Sequence, residues 1–169
     1  MNIKVLHDEK EIADRVAEVA RTIREDAGDE EILLIGVLKR TTVFLADLIR
    51  KIPGKVHYEF IDVVTDVSDT GTASALEISF LSHFLLEGRR VYLVKDVVST
   101  CVIENNLLAQ LREKGPSNLK LVAILDRPDL RTMPLDVEYA LFAVGEGTFV
   151  GYGLEHENHL GNLPYIGTV

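Results

Sequence analysis

The run EILLIGVL, residues 31–38, sets the strongest limit on the fold, because after its leading glutamate it carries no polar side chain for the length of a strand. A strand with one wet face alternates apolar and polar residues. An unbroken run belongs to a strand covered on both faces, as in a parallel sheet lying between layers of helix.

The flanking segments agree. Asp8 is placed to cap a helix through EKEIADRVAEVARTIRED, in which Ile12, Val16, Val19 and Ile23 recur at helical spacing. After Lys39-Arg40-Thr41-Thr42, the stretch VFLADLIRKI is amphipathic and stops at Pro53-Gly54. VHYEFIDVVT (56–65), RRVYLVKDVV (89–98), LKLVAILDRP (119–128) and VEYALFAV (137–144) read as further strands. VIENNLLAQLREKG reads as a helix closed by Gly115, with Pro116 just beyond, and FVGYGL as a short apolar segment before the C-terminal tail. DVSDTGTASALEISF (66–80) is small, polar and without clear period, and reads as a long mobile loop of the kind that forms lids, with Asp66 and Asp69 as solvating charges.

Strand and helix patterns alternate, which favours an α/β fold with a doubly wound parallel sheet over a sandwich or a bundle. No repeat, low-complexity segment or linker divides residues 1–169, so one domain is expected. Ligands of such sheets sit at the carboxyl ends of the strands. Lys39-Arg40, the turn Lys95 to Val102, and Asp126-Arg127 should therefore converge at one edge.

Composition narrows the function classes. The hydrophobic content of 47% in 169 residues is ample for a core. A net charge of −9 counts against nucleic acid as a partner, while leaving room for a small anion at a locally basic site. The single cysteine, Cys101, cannot form an intrachain disulfide, MNIKVLHDEKEIADR lacks the apolar core of a secretion signal, and no apolar run reaches membrane-spanning length. The expectation is a cytoplasmic globular protein without a membrane partner.

Several stretches together resemble the hypoxanthine-guanine phosphoribosyltransferases of purine salvage. LIGVLKRTTVFLADLIRKI is similar to that family's diphosphate-loop strand and helix, usually written with LKG. VYLVKDVVSTCVIENNLL stands where the ribose-phosphate motif belongs, LVAILDRP resembles the strand carrying a purine-contacting lysine, and FVGYGLEHENHLGNLPYIG matches the C-terminal segment. The resemblance implies a type I phosphoribosyltransferase-like parallel sheet flanked by helices, with a small hood from the chain ends. It implies transfer of ribose 5-phosphate from phosphoribosyl diphosphate (PRPP) to a purine, with Mg²⁺, and a homodimer or homotetramer. The reaction builds positive charge on the ribose carbon as diphosphate leaves. It calls for cations on the leaving group, acids on the ribose hydroxyls, a base near the purine, and backbone N–H groups around the 5-phosphate.

Carried over position by position, the resemblance assigns ligand contacts to Lys39, Arg40, Lys95, Asp96, Ser99, Thr100, Cys101, Arg127, Phe149 and Glu155. Several of these depart from the family pattern. Lys95 replaces the first of two acids, leaving Asp96. Ser99 stands where an aspartate serves as general base, Cys101 replaces a glycine, and Ile103 replaces a phosphate-binding hydroxyl. Arg40 replaces the glycine of LKG, Arg127 the lysine, Glu155 an aspartate and Gly161 an arginine, and Thr65-Asp66 stand for a Ser-Tyr pair. At the base-stacking position the ungapped match gives Thr148, with Phe149 one place late.

The expectation is a family member with weak or no transfer that still binds a purine nucleotide, PRPP or phosphate. An active enzyme with an atypical site, and a regulatory or structural subunit partnering an active relative, are the alternatives. Asp96 and Glu155 are the metal ligands if Mg²⁺ is held. The exchange of an acid for Lys95 argues against it, and so does an edge carrying four cations, Lys39, Arg40, Lys95 and Arg127. Cys101 reads as a small buried hydrophobe rather than a nucleophile, and His156-Glu157-Asn158-His159 as a solvated tail rather than a zinc pair.

Overall fold

A computed structural model describes residues 2–67, 73–79 and 85–169. Helix α1 (Glu9–Ala27) starts where expected, because Asp8 and Glu11 form a capping box. The Glu11 N–H donates to the Asp8 carboxylate at 2.8 Å and the Asp8 N–H to the Glu11 carboxylate at 3.0 Å. Strand β2 (Ile32–Val37) is buried throughout, as its unbroken apolar run requires. It leads through residues 38–41 into α2 (Thr42–Lys51), and from there the chain passes into β3 (Val56–Val67). After β4 (Ala73–Ser79) come β5 (Arg90–Val98), α3 (Val102–Arg112), β6 (Asn118–Asp126) and β7 (Tyr139–Ala143).

The main sheet runs β4-β3-β2-β5-β6-β7. Five of its strands are parallel, and β4 is added antiparallel to β3 at one edge. Alternate residues of β2 point to opposite faces. Ile32 and Leu34 pack with α1 and α2, around Ile23, Phe44 and Tyr92. Leu33, Ile35 and Val37 pack with α3, around Leu107, Leu108 and Leu111. Two apolar layers thus clamp the sheet and bring the carboxyl ends of β2, β5 and β6 to one edge.

The chain ends build the hood implied by the resemblance. Strand β1 (Lys4–His7), β8 (Phe149–Val150) and β9 (Ile166–Thr168) form a second, antiparallel sheet in the order β1-β9-β8. Strands of two to four residues are too short for periodicity to reveal.

One expectation is corrected. Of the loop read over 66–80, Asp66 and Val67 belong to β3 and Ala73–Ser79 forms β4, paired from Asp62↔Ser79 to Val67↔Ala73. An edge strand needs no continuous apolar run, so its sequence mimics a loop. Thr65 and Asp66 accordingly sit on a paired strand, whereas Asp69 and the rest of 68–72, with Phe80, lie outside the described residues.

Candidate active site

Loop 38–41 leaves β2 at the carboxyl edge, with a cis peptide between Leu38 and Lys39. Thr41, fully buried, anchors the loop by donating its hydroxyl to the Val37 carbonyl at 2.7 Å. The hood holds the loop from the other side. Gly153, at φ +92°, comes so close that a Cβ there would stand 2.3 Å from the Arg40 carbonyl oxygen, so only glycine permits this approach.

Both cations of the loop are engaged. Lys39 Nζ lies 2.8 Å from Glu155 Oε2. Arg40 reaches from the Asp96 carboxylate, 3.5 Å from Nη1, to the Glu155 backbone carbonyl, which accepts from Nη2 at 3.0 Å. Asp96, near the end of β5, also faces Lys95 at 3.3 Å. Burial alone would raise the Asp96 carboxyl. Lys95, the Val97 backbone N–H and Arg40 outweigh it and hold the group below the ordinary carboxylate range.

That direction fixes a pH dependence. A carboxyl whose folded value lies below its unfolded one, about 3.9, stabilises the fold above that pH, and the contribution is lost as pH falls through the folded value. The stability gap between wild type and Asp96→Asn, read by urea denaturation, is therefore expected to be widest near neutrality and to narrow below about pH 4. A gap that stays constant down to about pH 2 would show that Asp96 is not paired in the fold.

Lys95 is not a free cation of the edge. Its ammonium lies 3.6 Å from Glu104 Oε1, and Glu104, in the first turn of α3, is only 4% exposed. Besides Asp96 and Glu155 a third acid therefore faces the edge, and Lys95 is shared between Asp96 and Glu104. The signal for Glu104 lay in the sequence, since Glu104, Leu107, Leu108 and Leu111 share one stripe of α3. A charge on the buried stripe of a helix needs a partner.

The turn from β5 to α3 keeps an unusual frame. Cys101 adopts the left-handed conformation at φ 67°, the region that glycine occupies most easily, at a cost of about 1–2 kcal/mol for other residues. Its side chain is fully buried in the layer beneath α3, so any ligand contact at this position is through the backbone. Burial raises the thiol above its ordinary range although Arg131 opposes this, so the thiolate form is disfavoured. The Thr100 carbonyl accepts from the Thr132 N–H and hydroxyl at 3.2 and 3.1 Å, tying the turn to the segment after β6. Ser99 is half-buried in this turn.

Beyond β6, the Arg127 N–H donates to the Val98 carbonyl at 2.9 Å, and its guanidinium lies 5.6 Å from the centre of the Phe149 ring. Its Nε is buried without a hydrogen-bond partner. Arg127, Phe149, Arg40, Val97 and Glu155 line a common cleft of about 340 Å³. Thr148 also reaches it, so the aromatic beside the cleft is Phe149 and the hydroxyl residue is at its rim. The expected convergence of three strand ends is observed.

The acids at this edge are engaged by the protein's own nitrogen donors. Both Asp96 oxygens and both engaged oxygens of Glu155 already face nitrogen donors. Among the described residues no group of three or more His, Cys, Asp and Glu stands together as a metal cluster. His156 and His159 pair through their backbones, with N to O distances of 3.0 and 2.9 Å, in a turn whose residues 157–159 are exposed.

A parallel sheet with a hood over its carboxyl edge, basic loops at two strand ends and a left-handed turn before α3 define a phosphoribosyltransferase fold of type I. Residues 2–157 match the phosphoribosyl transferase domain family. The hypoxanthine-guanine phosphoribosyltransferase of Mycobacterium avium is 33% identical over 98% of this chain and 84% of its own, and that of Bacillus subtilis 31% identical over 98% and 92%. A crystal structure of a hypoxanthine-guanine phosphoribosyltransferase from Bacillus anthracis superposes with a TM-score of 0.93 at 32% identity, covering 99% of each chain. The chain belongs to the hypoxanthine-guanine phosphoribosyltransferase family. It also matches the bifunctional TilS/HprT protein of Listeria innocua at 31% identity, spanning 25% of that longer protein. Among the described residues no helix is long and apolar enough to cross a membrane.

Proposed function

We propose that this protein is a purine phosphoribosyltransferase homologue that binds a purine nucleotide or PRPP and transfers ribose phosphate slowly or not at all. The whole of 1–169 would act as one domain in a homo-oligomer, in the cytoplasm. The observation that carries the reading is the turn after β5, whose backbone frame persists with Cys101 at φ 67° while Ser99 occupies the place of the general base. A serine hydroxyl is not a useful proton acceptor at neutral pH, and no other carboxylate takes that position in the sequence.

Binding keeps more of its parts than catalysis. The α3 N-terminus and the turn 99–103 would hold a 5-phosphate through backbone N–H groups. Lys39 and Arg40 would meet a diphosphate, and Asp96 a ribose hydroxyl. Val97 and Phe149 would enclose the base. Arg127, set against the Phe149 ring at the cleft, would offer its guanidinium to a ligand acceptor.

A thermal-shift screen with PRPP, GMP, IMP, AMP and UMP tests this. A purine nucleotide or PRPP is expected to raise Tm by several degrees, because ligand at about 100 times Kd adds about 2.7 kcal/mol of stability. If none of the five shifts Tm, with or without Mg²⁺, the binding reading fails and a purely structural subunit takes its place.

A further inference from the structure

The acids at this edge are already bridged by the protein's own cations, and one residue does most of the bridging. Arg40 stands where the family has a glycine, and its guanidinium spans Asp96 on the main sheet and the Glu155 carbonyl on the hood. Lys39 covers the Glu155 carboxylate and Lys95 the other Asp96 oxygen. A divalent ion seeks these same oxygen atoms, so it would have to displace three cations or share the site with them. Its cost is mutual repulsion in a partly dry cleft.

The bridge is also fixed in place. Thr41 is buried beneath it, and Gly153 packs on the Arg40 carbonyl, so the loop does not have to be reorganised to offer its charge. Arg40 lines the cleft with Arg127, and 46% of its side-chain surface is exposed to meet a ligand. A guanidinium has five N–H donors, and its fork matches phosphate oxygens. Lys95, by contrast, is committed to Asp96 and Glu104.

We infer that Arg40 is a built-in cation that takes the place of the divalent metal, so that a diphosphate-bearing ligand is held at this site by protein charge alone. The inference rests on the phosphoribosyl-ligand reading for its physiological ligand, but not for its test. The probe is inorganic pyrophosphate, titrated by calorimetry with and without excess Mg²⁺ at fixed ionic strength. Wild type is expected to bind it without metal, with affinity changing less than about tenfold on adding Mg²⁺, or about 1.4 kcal/mol. Arg40→Gly is expected to lose about tenfold or more in metal-free affinity and to recover with Mg²⁺. Arg40→Gln, which keeps most of the side-chain length, should show the same loss, and far-UV circular dichroism checks that both variants are folded.

A tenfold or larger gain for wild type on adding Mg²⁺ overturns the inference, as does unchanged metal-free binding in both folded variants. Metal-free pyrophosphate binding through Arg40, together with no response to PRPP or any nucleotide, would leave Arg40's role standing and bring down the phosphoribosyl reading instead. No pyrophosphate binding under any condition overturns the inference about Arg40 and leaves the phosphoribosyl reading to the thermal-shift screen.

Discussion

Given hypoxanthine or guanine with PRPP and excess Mg²⁺, the protein is expected to turn over at a kcat of about 10⁻³ to 10⁻¹ s⁻¹. The figure follows from a typical enzyme rate of about 10 s⁻¹, lowered by the ~10²–10⁴-fold that the loss of a general base costs. Ser99 is the reason: its hydroxyl stays protonated where the reaction asks for a carboxylate. The remaining changes act on other duties of the same turn. Cys101 keeps the left-handed backbone but buries its side chain, and Ile103 offers no hydroxyl to a phosphate. Because residues that work as a unit are not additive, these losses deepen the defect by less than their separate effects multiplied together. Single-turnover and steady-state assays with radiolabelled base decide the matter. A kcat of ~1 s⁻¹ or more would mean that another group takes the proton, and the protein would then be an active enzyme with an atypical site.

The sequence revealed the fold through its long elements. EILLIGVL required two covered faces, and the structure clamps β2 between α1 with α2 on one side and α3 on the other. Short or edge elements escaped, because β1, β8 and β9 span too few residues to show a period and β4 lacks a continuous apolar run. At the site, topology and resemblance together anticipated that Arg40, Val97, Arg127, Phe149 and Glu155 come to one edge. They did not reveal how the charges pair. Sequence order set Lys39, Arg40, Lys95 and Arg127 at one edge, but pairing depends on contacts between residues far apart in the chain. Arg40 meets a carbonyl on the hood at Glu155, while Lys95 turns inward to Glu104. Of these facts only the burial of Glu104 was legible beforehand, from its place on the apolar stripe of α3.

Lys95 and Glu104 are expected to behave as one unit in stability. Both are largely buried, with 12% and 6% of their side chains exposed, and Asp96 beside them is served by Arg40 as well. Replacing Lys95 with methionine leaves Glu104 buried opposite no cation, and breaking a buried pair in this way costs about 3–5 kcal/mol. Glu104→Leu alone should cost less, because Lys95 retains Asp96 at 3.3 Å. The double variant Lys95→Met with Glu104→Leu replaces the pair by apolar side chains of similar size, which is often neutral or stabilising. Urea denaturation of the four proteins gives the cycle, and a coupling of about 1–3 kcal/mol in favour of the double variant is expected. If Lys95→Met lies within about 0.5 kcal/mol of wild type, the pair is not structural. The coupling also governs any attempt to restore transfer. Changing Lys95→Glu, Ser99→Asp, Cys101→Gly and Ile103→Thr together would set a new carboxylate beside Asp96 and Glu104 and remove the cation they share, so that variant should be less stable than wild type. Adding Glu104→Leu removes the buried repulsion, and the five-residue variant is the one expected to bind PRPP more tightly than wild type in calorimetry.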